Sequence, residues 1–363
     1  MKVALLSAAN NVHTVKWANG LALQGVEVHV ISLHPMTQNF NSAVHMHILS
    51  FKAPFGYFSN VVKLRCLLKK ISPDLVNAHY ATGYGLLSVL STGRYPNIIS
   101  LWGSDIFLFP KRSKFHFWVL KKILSSANAI FSTSECMKQE LIKHSFAPNV
   151  PVFKTPFGVD VDLFSPNANA LKNRSASDKV IVGTVKSLKA VYGIDVLIEA
   201  FSMLVKKDPV LKAELQIYGE GIELESLQQL AEMHGVADKV IFGGFIDNKK
   251  VPEVLNKFDV YAALSRSESF GVAVLEASAC GVPVVVSDAE GFLEVVSDGV
   301  TGLIVPKNDP VAAHKALESL IVNPKARYEL GEEGRKSVKL SFSETACIDI
   351  MMSAYKQVIK ANH

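Results

Sequence analysis

Cysteine is scarce in this chain of 363 residues. There are four, Cys66, Cys136, Cys280 and Cys347, at spacings that suit neither a metal site nor a disulfide framework. That excludes a disulfide-stapled scaffold and points to a reducing, cytoplasmic compartment. Long apolar runs are missing too: no stretch reaches the roughly 18 residues that a membrane-spanning helix needs. The first apolar run, Val3 to Ala9, is short and leads into Asn10-Asn11 without a cleavage-like site, so it reads as a strand and not as a secretion signal. Internal repeats and low-complexity tracts are absent as well.

What the chain has is apolar residues, 49% of the total, and length enough for two domains. Its net charge of +5 is unevenly spread. The first 165 residues carry 16 lysines and arginines against seven acids, and the remainder 22 against 26. A basic first half and a mildly acidic second half imply different partners.

Short apolar runs alternate with helical periodicity. Strands are expected at Val3–Ser7, Val26–Ile31, Leu75–Ala78, Ile98–Trp102, Ala129–Ser132 and Val152–Thr155. After a polar, asparagine-bearing stretch the pattern restarts, with strands at Val180–Thr184, Leu215–Tyr218, Val240–Phe242, Val260–Ala263, Val282–Ser287 and Leu303–Val305. A helix over Ile194–Val205 places Leu197, Ile198, Phe201 and Leu204 on one face. Strands alternating with helices predict parallel βαβ units. The expected division is 1–165, a linker 166–178, 179–342, and a closing helix 343–363 that can pack back on the first domain. Both domains read as doubly wound, Rossmann-like α/β folds facing across a cleft, where ligands of such sheets bind.

Two carboxylates, Glu268 and Glu276, stand with seven residues between them in Glu268-Ser269-Phe270-Gly271-Val272-Ala273-Val274-Leu275-Glu276. In one continuous helix they would lie roughly 12 Å apart. That is too far for the acid and nucleophile of a retaining glycosidase, about 5 Å apart. A loop placement for Glu268 and a helix start near Phe270, Gly271 and Val272 instead offers backbone N–H groups to an anion, with a carboxylate on either side. By the spacing alone, two solvated glutamates on a helix are the better reading. The glycines and the strand pattern that follow favour the site.

Gly183-Thr184-Val185-Lys186-Ser187-Leu188-Lys189 links a strand to a helix and brings Lys186 and Lys189 to a candidate diphosphate loop; an ordinary solvated loop is the competing reading. Tyr218-Gly219-Glu220-Gly221 repeats the strand-to-helix setting, but Leu224 breaks a Gly-x-Gly-x-x-Gly fingerprint, and Gly219 and Gly221 can equally form a tight turn. In the first half, His13 lies near a helix start, His79 ends a strand, and Trp102-Gly103-Ser104-Asp105 ends another. Strand C-termini are where the functional groups of such sheets gather.

These motifs, in this order, resemble the retaining glycosyltransferases of family 4, of the bacterial polysaccharide-biosynthesis type. The resemblance covers nearly the whole chain and is densest from Val180 to Val305. It implies a GT-B architecture and transfer of a sugar from a nucleoside-diphosphate sugar to a saccharide acceptor, with retention. A UDP-sugar is the first expectation and GDP-mannose the second. The resemblance places the donor on the second domain, at Glu276, Phe270, Gly271, Val272, Gly219 and Gly221. Glu268, Lys186 and Lys189 are expected to act in catalysis, and His13, His79, Trp102 and Asp105 to stand on the acceptor side. Ser187 and Tyr192 occupy the family's usual arginine and lysine positions, and Trp102 replaces a usual histidine. No metal and no cofactor beyond the nucleotide sugar are implied, and no Asp-x-Asp motif of the metal-binding type contradicts this.

Lys111 to Lys122, and Lys63, Arg65, Lys69 and Lys70 near Phe55, Tyr57 and Phe58, mix basic and aromatic residues. They suit peripheral attachment to an anionic inner membrane face, which fits a lipid-linked acceptor, or a core-packed helix with solvated lysines. No nucleic-acid motif accompanies the charge. A nucleotide-sugar epimerase and a non-catalytic nucleotide- or glycan-binding protein remain as alternatives. An NAD dehydrogenase is a distant third, given the incomplete glycine fingerprint.

Overall fold

A computed structural model describes residues 1–37, 39–167 and 179–362. The chain divides into two compact units, Met1–Gly158 with Glu344–His363, and Val159–Ser343. The first unit contains strands β1 (Lys2–Leu6), β2 (Glu27–Ser32), β3 (Val44–Ile48), β4 (Leu75–His79), β5 (Asn97–Leu101), β6 (Ala129–Ser132) and β7 (Val152–Lys154). They form one parallel sheet in the order β3-β2-β1-β4-β5-β6-β7. The second unit contains β8 (Val180–Val185), β9 (Ala213–Tyr218), β10 (Val240–Gly244), β11 (Val260–Ala263), β12 (Val284–Ser287) and β13 (Leu303–Val305). They form a parallel sheet in the order β10-β9-β8-β11-β12-β13.

Every residue of β4, β5, β6, β11 and β12 is buried, in mostly apolar runs covered on both faces. On the helix Ile194–Lys207, Leu197, Ile198, Phe201 and Leu204 are at most 2% exposed. Burial of each such side chain contributes about 1.5–3 kcal/mol.

Three sequence expectations are corrected. β3 was not foreseen. It reads Val-His-Met-His-Ile at the sheet edge, where the apolar run that betrays a buried strand is absent. The strand expected from Val282 starts at Val284, because Pro283 has no N–H to donate. The boundary expected at 165/166 falls at 158/159. Val159 N donates to Phe342 O at 2.8 Å, and Phe164 is 4% exposed with its carbonyl accepting from Arg335, so 159–167 is tied to the second unit. Residues 168–178 of the expected linker lie outside the described residues.

The helix Glu344–Asn362 belongs to the first unit. Its Tyr355 is fully buried and accepts a hydrogen bond from Asn77 Nδ2 at 2.7 Å, while Asn77 Oδ1 accepts from Ser100. Asn77 therefore anchors this helix to β4. Gly20 permits the close approach, since a Cβ there would sit 2.6 Å from Ile348 Cδ1. In each sheet the winding reverses between two adjacent strands, β1 and β4 in the first and β8 and β11 in the second. Ligands of such sheets bind beyond the carboxyl ends of the strands at these points.

Candidate functional site

In the second unit, β8 runs out into Lys186 and β11 runs out into Arg266 and Glu268, one on each side of the reversal point. Lys186 Nζ donates to Glu268 Oε2 at 2.6 Å, with the two side chains 20% and 10% exposed. The ammonium also lies 4.4 Å from the centre of the Tyr192 ring. Tyr192 stands at the family's usual lysine position, and it offers an aromatic face to the lysine that reaches the site from β8. Lys189 is exposed and is not brought to Glu268; its backbone N donates to Ser187 O at 3.0 Å.

Beside Glu268 the chain turns into the helix Val272–Ala279 through Gly271, whose φ of +105° suits glycine. The first N–H groups of this helix have no partner within it and bear its positive dipole end. The Phe270 ring is 2% exposed and packs near Phe342 at 5.9 Å, so only the Phe270 backbone can meet a ligand. Gly291 closes the loop from below: its N donates to Glu268 O at 3.1 Å, and a Cβ there would strike Phe270 N at 2.4 Å.

Glu276 lies in the second turn of the same helix and is half-buried. The buried Tyr261 Oη donates to Val185 O at 3.3 Å. Burial first, then the charges of Glu276 and Glu268, push the Tyr261 hydroxyl pKa upward. Both carboxylates thus act on one buried phenol: Glu268 from the loop and Glu276 from the helix.

Gly219 and Gly221 take their place through backbone packing. A Cβ on Gly219 would sit 2.0 Å from Lys186 O, and one on Gly221 2.0 Å from Leu188 O. Lys186 N donates to Tyr218 O and Leu188 N to Glu220 O, both at 2.9 Å. The two glycines let the loop after β9 seat directly against the lysine loop. Their direct structural role is thus to position Lys186.

Arg266 was not foreseen. Its guanidinium grips Asp195 at 2.9 and 2.5 Å and also donates to Ala190 O. Burial raises the Asp195 pKa, but the Arg266 hydrogen bonds outweigh it and hold the carboxyl below its usual range. This fork joins the Ala190–Asp195 turn to the loop after β11 and so fixes Tyr192 beside Lys186. An arginine two residues before Glu268 has no periodic signature that would reveal its partner 71 residues away.

The first unit gathers a different set at the ends of β1, β4 and β5. His13 stacks on Phe157 with centroids 4.2 Å apart, and Trp102 lies 4.9 Å from His79, 5.7 Å from Phe157 and 5.8 Å from His13. Phe157 is thus a wall of the cluster, a contact its sequence position in a Pro-Phe-Gly run did not disclose. His79 is 1% exposed and its Nδ1 lies 3.1 Å from Ser7 Oγ, which pairs with Thr14 Oγ1 at 2.7 Å. His79 Nε2 is buried without a hydrogen-bond partner among the described residues.

Burial, then the nearby His13, lowers the His79 pKa to about 3; burial, then Lys16, lowers that of His13 to about 4. Both imidazoles are neutral near pH 7. Asp105 faces inward, fully buried, and accepts from Ala81 N at 3.0 Å, Gly103 N at 2.9 Å and Trp102 N at 3.2 Å. Its carboxylate positions Trp102 and the turn after β4, and is not presented to an acceptor.

Asp160-Val161-Asp162 does spell Asp-x-Asp. However, Asp160 Oδ1 accepts from Asp162 N and Leu163 N at 3.1 and 2.9 Å, so this carboxylate caps a turn.

Two parallel doubly wound sheets, of seven and six strands among the described residues, are the layout of the GT-B fold. Over 99% of the chain and 100% of the other, the fold matches sucrose-phosphate synthase from Thermosynechococcus elongatus, with a TM-score of 0.83 at 21% identity. It matches the Anabaena protein HepE, solved in complex with UDP, at 0.81 and 18% identity over 98% of this chain and 100% of that one. A family model described as glycosyl transferases group 1 matches residues 167–337, one described as glycosyl transferase 4-like matches residues 2–134, and the chain belongs to this glycosyltransferase family.

Among curated relatives, a D-inositol 3-phosphate glycosyltransferase of Geodermatophilus obscurus is 31% identical over 248 residues, 65% of this chain and 54% of the relative. A GDP-mannose-dependent alpha-(1-6)-phosphatidylinositol monomannoside mannosyltransferase of Mycolicibacterium smegmatis is 33% identical over 227 residues, 60% of this chain and 59% of the relative. The chain thus spans between half and two thirds of the length of these two. An uncharacterized glycosyltransferase of Methanocaldococcus jannaschii is 25% identical over 346 residues, 93% of this chain and 91% of the relative.

Proposed function

We propose that this protein transfers a sugar from a nucleoside-diphosphate sugar to a saccharide acceptor with retention of anomeric configuration, the second unit holding the donor. The observation that carries the reading is the Lys186–Glu268 pair beside the start of the helix Val272–Ala279, with Glu276 one turn further along. A diphosphate seated on the N–H groups at Gly271 and Val272 would draw on Lys186 for charge. Glu276 then accepts from the ribose hydroxyls, and Glu268 from hydroxyls of the sugar ring. The bond from the anomeric carbon to the phosphate oxygen breaks, and the acceptor oxygen bonds to that carbon on the same face. The acceptor's proton passes to the leaving phosphate oxygen, so no separate general base is required. No metal enters this scheme.

UDP is the favoured nucleotide, supported by the UDP-bound structural neighbour, with GDP-mannose second, the donor in one relative's name. The acceptor is assigned as a lipid-linked saccharide. On the helix Lys114–Ser125, Leu120, Ile123 and Leu124 are buried, whereas Phe115 is 67% and Trp118 56% exposed among Lys111, Arg112, Lys114, Lys121 and Lys122. The helix therefore both packs in the core and presents aromatic and basic groups outward, which suits an anionic membrane surface. Among the described residues no helix is long and apolar enough to cross a membrane.

The test is thermal unfolding with UDP, GDP, ADP, CMP and NAD on wild type and Glu276→Ala, followed by product analysis. A ligand at a hundredfold excess over Kd stabilises by about 2.7 kcal/mol. Stabilisation by one diphosphate, cut to about half in Glu276→Ala at the same ligand concentration, with sugar transferred to an added acceptor, is the expected result. A response to NAD alone would overturn the reading. Epimerised donor without acceptor would favour the epimerase, and binding without turnover the non-catalytic protein.

A further inference from the structure

At the outer edge of the first sheet, away from the strand ends that carry the aromatic cluster, Glu27, His29, His45 and His47 share one face of β2 and β3. The register explains this: His29 pairs with His45 and Ile31 with His47, and Glu27 precedes His29 by two. Side chains two apart on a strand point to the same side. His29 is 8% exposed, and its ring stacks between those of His45 and His47, with centroid distances of 4.7 and 5.3 Å. Ligand atoms of Glu27, His29 and His45 all lie within 4.8 Å of one another.

We propose that Glu27, His29 and His45 form a binding site for a borderline divalent cation of the zinc or cobalt class, with His47 orienting His29 from behind. Two imidazoles and a carboxylate with a solvent position left over match a three-ligand tetrahedral set. Donors about 2.0–2.1 Å from such an ion lie roughly 3.4 Å from one another, so modest side-chain rotation closes the set. His45 is exposed and can turn.

The hydrogen bonds around His29 already fit the role. Its Nε2 lies 3.0 Å from Glu27 Oε1 and its Nδ1 3.0 Å from His47 Nε2. With the cation on Nε2, the ring takes the tautomer whose Nδ1–H donates to His47, the outer-sphere hydrogen bond usual for metal-bound histidine. Lys2, 3.0 Å from Glu27 Oε1, and Lys70 near His47 oppose a cation, so the site would be of moderate affinity. Glu27 Oε2 remains for the ion. Its effect would be structural: β3 ends the sheet with a free edge, and a cation shared between β2 and β3 clasps that edge.

The experiment uses untagged full chain, stripped with chelator and titrated with Co2+ while the visible d–d band is followed, with Zn2+ as competitor. One equivalent binding to wild type, with affinity at least about tenfold weaker in His45→Ala, is expected, since even outer-shell changes cost 10–100-fold. Zn2+ should raise the Tm of wild type and not that of the variant. His45 is exposed, so unchanged metal-free Tm in His45→Ala shows an intact fold. No saturable binding up to about 1 mM, or equal affinity in both proteins, overturns the proposal. Neither outcome depends on the glycosyl-transfer reading, because the readouts are binding and stability.

Discussion

Replacing Lys186 by alanine separates positioning from ordinary surface charge. In wild type its ammonium sits 2.6 Å from Glu268, the pair 20% and 10% exposed, with Tyr192 against its other side. A charge-assisted hydrogen bond of this kind contributes about 1.5–3 kcal/mol when mostly buried. Residual exposure brings the expected loss in Lys186→Ala to about 1–2 kcal/mol. Glu268 would then be left without its partner at the place where the diphosphate must bind. Removing one preorganised donor to a developing negative charge typically costs 10²–10³ in kcat, about 2.7–4 kcal/mol. Turnover should therefore fall about 100-fold or more, a loss larger than the stability change. The assay is initial rate with saturating nucleotide sugar, alongside a chemical melt and UDP titration. Glu268→Gln keeps an oxygen for Lys186 and removes the negative charge. It should leave UDP affinity intact or slightly improved and still lower turnover. If Lys186→Ala lowers Tm but transfers sugar at the wild-type rate, the lysine is a structural partner of Glu268 and the charge assignment is wrong.

Glu276→Ala should weaken UDP binding by about tenfold, the loss of one charge-assisted hydrogen bond, which a calorimetric titration measures. Gly219→Ala, at φ +140° with Lys186 O only 2.0 Å from the new Cβ, should cost about 2–4 kcal/mol and weaken UDP binding as the lysine loop is displaced; unchanged melting and binding would show that the loop accommodates the methyl. For His79, lowered from 6.5 to about 3, the unfolded chain takes up a proton below pH 6.5 that the folded protein refuses. Stability should therefore fall as pH drops from 6.5 towards 3, by about 2–3 kcal/mol at pH 4.5, and melts of His79→Gln should show a flatter profile over that range. Chelator treatment should leave the transfer rate unchanged in the scheme proposed here, and a rate restored only by added divalent metal would refute the metal-free mechanism.

The alternation of apolar runs and helical faces was enough to place most strands within a residue or two, because parallel strands buried on both faces are mostly apolar. Leu197, Ile198, Phe201 and Leu204 declared their face by spacing alone, and all are buried. Gly271 marked the helix start after Glu268 because few other residues tolerate that backbone. Where local pattern and local requirement coincide, the amino-acid order suffices. β3 escaped because an edge strand needs no apolar run, and its histidines hide it among polar residues.

Tertiary structure decided which of two lysines meets Glu268. Lys186 and Lys189 lie three apart in one loop, and only the seating of Gly219 and Gly221 against that loop turns Lys186 to the carboxylate and leaves Lys189 in solvent. It likewise paired Arg266 with Asp195, Asn77 with Tyr355 and His29 with His45, partners far apart in the chain. Asp105 looked like a ligand-facing acid by its motif and is a buried anchor for three backbone N–H groups. The physical reason is common to all of these. Periodicity is set by the covalent backbone and survives in the sequence, whereas a pair of polar side chains is set by how strands are ordered in a sheet, and order is a property of the folded chain alone.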